Sequence, residues 1–121
     1  MKKPKIISVS NQKGGVGKTT TTINLATAMV SFNKKILIVD LDPQGNASTG
    51  LGIDLKERDK NIYKVMTSQK EVNDCVFDTI IPNLKIIPST IDLSAVEIEF
   101  SSIPKRELVL KKSLENLTID F

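Results

Sequence analysis

The 121-residue sequence has no histidine and no tryptophan, and it has one cysteine and one tyrosine. Each absence closes off a chemistry. Without histidine the chain supplies no imidazole base, no Ser-His-Asp triad and no His-ligated zinc site of its own. Cys75 alone builds neither an internal disulfide nor an iron–sulfur cluster. Its neighbours Val76 and Phe77 mark it as a small buried hydrophobe rather than a reactive thiol. With Tyr63 the single tyrosine, an aromatic platform for stacked bases is not expected. No stretch approaches the ~20 apolar residues of a membrane span. The apolar run after the basic Met1-Lys2-Lys3-Pro4 is also too short for a signal-peptide core. The expectation is a cytoplasmic protein with no membrane partner.

The length suits one modest domain and is too short for two. A composition of 40% hydrophobic and 26% charged residues is that of a globular chain. A net charge of +3 permits a nucleic-acid partner without demonstrating one. There are no internal repeats, low-complexity tracts or Gly/Ser linkers.

The rest of the chain is organised around Ser10-Asn11-Gln12-Lys13-Gly14-Gly15-Val16-Gly17-Lys18-Thr19-Thr20. Ile6, Ile7 and Val9 before it form a short β-branched run, the pattern of a buried parallel strand. Glycines at 14, 15 and 17 remove the Cβ atoms that would keep a backbone from closing round an anion, so that successive N–H groups can point at phosphate oxygens. From Lys18 the pattern turns helical, with Ile23, Ala26 and Val30 on one face, and the helix N-terminus adds partial positive charge to the same pocket. Lys18 would reach the outer phosphates, and the Thr19 hydroxyl would complete coordination of Mg²⁺. An ordinary tight turn would explain the glycines alone. Strand, loop, Lys-Thr and helix in this order favour a nucleoside triphosphate site spanning Gly14, Gly15, Val16, Gly17, Lys18, Thr19 and Thr20.

The regular spacing G-x-x-x-x-G-K-[ST] would place a glycine at position 12, where this chain has Gln12. The run Lys13 to Thr20, with lysine at the second loop position, resembles the deviant Walker A box of the ParA and MinD group of P-loop ATPases. That resemblance implies ATP and Mg²⁺ as ligands. It also implies that Lys13 reaches across a nucleotide-sandwich dimer to the phosphates held by the other subunit.

After the helix, expected from about Lys18 to Phe32 with Asn33 as its stop, Lys35-Ile36-Leu37-Ile38-Val39 reads as a second strand. Strand, helix and strand predict a right-handed crossover unit that delivers the next residues beside the phosphates. Those residues are Asp40-Leu41-Asp42-Pro43-Gln44-Gly45-Asn46-Ala47-Ser48. Carboxylates at alternate positions on a strand end share a side, so Asp40 and Asp42 could both face a metal or its water shell. A plain Asp-Pro turn, with Asp40 at the strand end, is the alternative. The segment resembles the first switch of the ParA partition ATPases and differs from MinD-like proteins after the second aspartate. By that match Asp42 orients the attacking water, and Asp40 acts closer to the Mg²⁺ hydration shell.

The remainder is read more coarsely. Thr49 to Gly52 reads as a turn, and Leu55 to Lys60 as a charged, solvated connector. A short helix is predicted over Asn61 to Thr67 with Ile62, Val65 and Met66 inward, and Val72 to Val76 is a short helical or extended piece. A third strand is predicted at Leu84 to Ile87, followed by the polar turn Pro88-Ser89-Thr90. A helix follows over Asp92 to Glu99, with Ile98 and Phe100 facing the core. Pro104 would open a last helix ending near Leu117, with Leu110, Leu114 and Leu117 on one stripe. Lys105, Arg106, Lys111 and Lys112 on it read as a solvated face ahead of a DNA-facing patch.

The resemblance implies an α/β fold, the three-layer α/β/α P-loop NTPase with a mostly parallel sheet. It covers the first half of a ParA-like protein, so residues 1–121 are expected to be the N-terminal part of a single ATPase domain, truncated before the Walker B strand. This half alone is expected to be marginally stable and to hydrolyse ATP poorly or not at all. For the whole protein the family implies an ATP-dependent homodimer, nonspecific DNA binding at the nucleoid and a ParB-like partner that triggers hydrolysis. The alternatives are a MinD-like membrane-associated ATPase and a non-catalytic nucleotide-binding or dimerising module. A ligase resembling dethiobiotin synthetase fits the loop but not the switch segment.

Overall fold

The computed structural model describes residues 4–10 and 17–121. Helix α1 (Lys18–Ser31) is followed by strand β1 (Ile36–Val39) and the short helices α2 (Asn46–Gly50) and α3 (Ile62–Met66). Strands β2 (Phe77–Asp78) and β3 (Leu84–Ile87) follow, then helices α4 (Val96–Glu99) and α5 (Val109–Leu114). Single 3-10 turns fill Leu55–Glu57, Val72–Cys75, Ile91–Ala95 and Arg106–Leu108.

The sheet has the order β1-β3-β2. β1 runs parallel to β3, with Ile36 opposite Leu84 and Val39 opposite Ile87. β2 is antiparallel to β3 and sets Phe77 opposite Ile86. The sheet is therefore mixed, and β3 is its centre, with Leu84, Ile86 and Ile87 all buried.

Alternation along the strands makes the layers. Ile36, Ile38, Leu84 and Ile86 join Ala26 of α1 and Ala47 of α2 in one apolar cluster. Leu37, Val39 and Ile87 belong to the other, with Val65 of α3 and the stripe Leu110, Leu114 and Leu117. A strand with both faces apolar and covered by helices is what a buried sheet requires. Each fully buried Leu or Ile contributes about 1.5–3 kcal/mol.

Several local expectations hold. α1 packs through Ile23, Ala26 and Val30. It ends where Asn33 turns left-handed at φ 63°, and the Asn33 N–H donates to Val30 O at 2.9 Å. Asn61 caps α3 by accepting from the Lys64 N–H at 3.0 Å. Cys75 is fully buried.

Others are corrected. Residues 4–10 form no strand, and Ile6 is 84% exposed. An extended segment needs a ladder partner for its backbone groups, and among the described residues this one has none, so the expected crossover from it to β1 is not built. Of the turn expected over Thr49 to Gly52, Thr49 and Gly50 instead close helix α2, and Leu51 and Gly52 turn. Phe100 is buried as expected, but Ile98 is 79% exposed, because Ile91–Ala95 winds as a tighter 3-10 turn that puts Leu93 inward. The last helix does not open at Pro104, since Lys105 is left-handed at φ 59° and regular winding begins only at Arg106.

Candidate nucleotide site

Gly17 precedes α1 in the left-handed region at φ 85° and ψ 20°. Among the described residues a Cβ there would meet nothing within 4 Å, and the backbone angle by itself calls for glycine. The first turn of α1 closes through the Thr21 N–H to Gly17 O at 2.8 Å. Among the described residues no side chain caps it, and its first turn holds no acidic residue. The start of α1 carries the positive end of the helix dipole, which favours an anion. Lys18 and Thr19 are half-buried at this end and Thr20 is exposed. Lys13, Gly14, Gly15 and Val16 lie outside the described residues.

Asp40 and Asp42 leave the end of β1, as their spacing predicts, but in different settings. The Asp40 side chain is buried and accepts from the Asp42 N–H at 3.1 Å, the Ser48 N–H at 3.0 Å and the Ser48 hydroxyl at 2.7 Å. These three donors fill most of the acceptor sites of the carboxylate and fix it in place. Asp42 is half-buried. Its carboxylate accepts from the Gln44 N–H at 3.0 Å and the Asn46 side-chain amide at 2.8 Å. These bonds organise the start of α2, which is why the chain turns helical there.

Ser89, at the end of β3, ties the turn to the sheet. Its hydroxyl donates to Asp42 O at 2.6 Å, and its N–H donates to Ser48 Oγ at 3.2 Å. A serine 41 residues from Ser48 gives no sequence signal of such a link. Arg58 is the other residue that sequence reasoning missed. Within a connector expected to be solvated it is 3% exposed, and its guanidinium donates to Ile53 O and Thr49 Oγ1.

The two motif segments meet through their helices. α1 packs on α2, where a Cβ on Gly50 would stand 3.1 Å from Ile23 Cδ1. One chain of contacts therefore joins the helix begun by Lys18 and Thr19 to the helix organised by Asp42. Among the described residues no group of three or more Asp, Glu or Cys side chains gathers to hold a metal. No helix among them is long and apolar enough to cross a membrane. Away from the site, a hydrogen bond from Lys64 lowers the Asp59 pKa, and burial raises that of Cys75.

A family model described as an AAA domain matches residues 4–121. The chain belongs to this family. The AAA domain is 45% identical over 111 residues to the sporulation initiation inhibitor protein Soj of Bacillus subtilis (strain 168), covering 92% of this chain and 44% of that protein. It is likewise 45% identical to the chromosome partitioning protein ParA of Caulobacter vibrioides, covering 92% of this chain and 42% of that one. Among solved structures, cobyrinic acid a,c-diamide synthase from Mycobacterium smegmatis, with bound ATP analog and magnesium, matches at a TM-score of 0.85 and 34% identity. That match covers 93% of this chain and 46% of the synthase. The fold is thus that of the P-loop NTPases, and the ParA likeness read from the two motifs is borne out. The chain spans less than half the length of these relatives.

Proposed function

We propose that residues 1–121 are the N-terminal part of a single ParA-type partitioning ATPase domain that binds ATP with Mg²⁺. The observation that supports this reading is the packing of α1, the helix that Gly17 and Lys18 open, on α2, the helix that follows the Asp40–Asp42 turn. Backbone amides at 14–17 and the start of α1 hold the phosphates, Lys18 neutralises the outer ones, and Thr19 binds the metal. Asp40 fixes the turn and faces the hydration shell, while Asp42 orients the attacking water. Lys13 reaches the nucleotide of a second copy, which makes the dimer ATP-dependent. In the cell the whole protein works in the cytoplasm at the nucleoid, bound to DNA without sequence preference and triggered by a ParB-like partner.

The test is steady-state ATP hydrolysis and nucleotide binding by the full-length protein. Lys18→Ala abolishes binding of Mg²⁺-ATP. Asp42→Ala keeps binding and lowers turnover by about a hundredfold, in line with loss of a positioned water. Lys13→Ala leaves the protein monomeric with ATP in light scattering. Full turnover by Asp42→Ala would contradict the role given to that carboxylate.

A further inference from the structure

Behind Asp42 lies a buried cation to which the proposed function gives no task. The Arg58 guanidinium donates to Ile53 O from Nε at 3.1 Å and from Nη2 at 2.7 Å, and Nη2 also reaches Thr49 Oγ1 at 2.8 Å. Among the described residues no carboxylate pairs with it. A guanidinium stripped of water and given only carbonyl and hydroxyl acceptors is expensive to keep inside a fold. A lone packing role is better served by an apolar side chain.

The position of this fork is informative. A Cβ on Gly45 would fall 2.5 Å from Nη1, so the guanidinium lies directly against Gly45. It touches the segment at Gly45 before α2, at Thr49 within it and at Ile53 beyond it. Gly45 in turn donates its N–H to Asp42 O at 2.8 Å, and the Asn46 side-chain amide holds the Asp42 carboxylate. Whatever fixes the start of α2 therefore fixes Asp42.

We propose that Arg58 is a positioning residue, whose buried fork braces Gly45 and α2 from behind and so holds the Asp42 carboxylate in place for hydrolysis of the bound nucleoside triphosphate. The hydrolytic part rests on the proposed function. The brace needs the planar, multi-donor head of arginine, because a lysine ammonium cannot span Ile53 O, Thr49 Oγ1 and Gly45 at once.

The experiment compares the full-length wild type with Arg58→Met, Arg58→Lys and Thr49→Val. It measures Mg²⁺-ATP turnover and backbone amide exchange without nucleotide. Arg58→Met lowers kcat about tenfold while KM stays within about threefold. Exchange at the Gln44, Gly45 and Asn46 amides quickens about tenfold, with β3 amides unchanged. Arg58→Lys recovers only a small part of kcat. Thr49→Val, at an exposed position and close in volume, lowers kcat by about two- to fivefold without loss of fold. Unchanged kcat in both Arg58→Met and Thr49→Val overturns the proposal. Equal acceleration of exchange in β3 and at 44–46, with Thr49→Val silent, also overturns it, since Arg58 would then serve stability alone. A wild type without ATP turnover overturns the proposed function, and the exchange contrast then decides the brace by itself.

Discussion

Ile36–Val39 and the run Ile6, Ile7, Val9 share a β-branched, apolar character, yet the first is a strand between two helical layers and the second lies in solvent. What separates them is neighbours. β1 has β3 beside it, with four residue pairs in register, and helices over both faces. Among the described residues, 4–10 have no such ladder. Strand formation is a property of the pairing surface more than of the run itself. The same lesson applies within the candidate site, where Asp40 is locked by Ser48 while Asp42 two residues on stays half open.

The sharpest way to break this contrast is a pair of truncations followed by urea unfolding. Ile86→Ala in the fully buried centre of the sheet costs about 4 kcal/mol. Ile6→Ala, at a side chain already in solvent, changes stability by less than about 0.5 kcal/mol. Equal effects would mean that the 4–10 segment packs in solution.

The two aspartates give the next largest difference. Asp40→Ala leaves the buried Ser48 N–H and hydroxyl without their acceptor and costs about 3 kcal/mol. Asp42→Ala loses half-exposed bonds to Gln44 and Asn46 and costs about 1 kcal/mol, read by the same unfolding curves. Thermodynamic parity between them would contradict the division into a locked and an open carboxylate.

Gly45→Ala probes the turn that leads from Asp42 into α2. A methyl there meets Arg58 Nη1 at 2.5 Å and imposes a left-handed alanine at φ 65°, together costing about 1–2 kcal/mol in thermal unfolding. The same change at Gly17, where nothing among the described residues lies within 4 Å, carries the backbone part and costs about 1 kcal/mol.

The smallest effect is on pH. Burial, first, and the nearby Asp74 charge raise the Cys75 thiol above its ordinary pKa of 9.0. The folded thiol therefore holds its proton longer than the unfolded one. Its contribution is complete below the unfolded pKa and fades as pH rises from there through the folded value. Unfolding curves above about pH 9 should show a decline that Cys75→Ala lacks. Rapid alkylation of the native protein near neutral pH would contradict the buried thiol.

Much of this was legible in local pattern. The alternation in Leu84 to Ile87, the Asn61 cap and the Ile23, Ala26, Val30 stripe all follow from short-range rules. So did the glycine-led start of α1 at Gly17. Arg58 was not legible, because one arginine among Lys56, Glu57, Asp59 and Lys60 has the pattern of a solvated face. Its burial depends on the carbonyl of Ile53 and on the space beside Gly45, neither of which has a sequence signature. β2 escaped for a similar reason, since two residues acquire strand geometry only by pairing with β3.

The account stands most directly on the positive helix end at Lys18. Titration of the full-length protein with a fluorescent ATP analogue, with and without Mg²⁺ and beside Lys18→Ala, measures it. The account predicts saturable, Mg²⁺-dependent binding that Lys18→Ala abolishes. Binding of equal strength in Lys18→Ala, or none in a folded wild type, would contradict it.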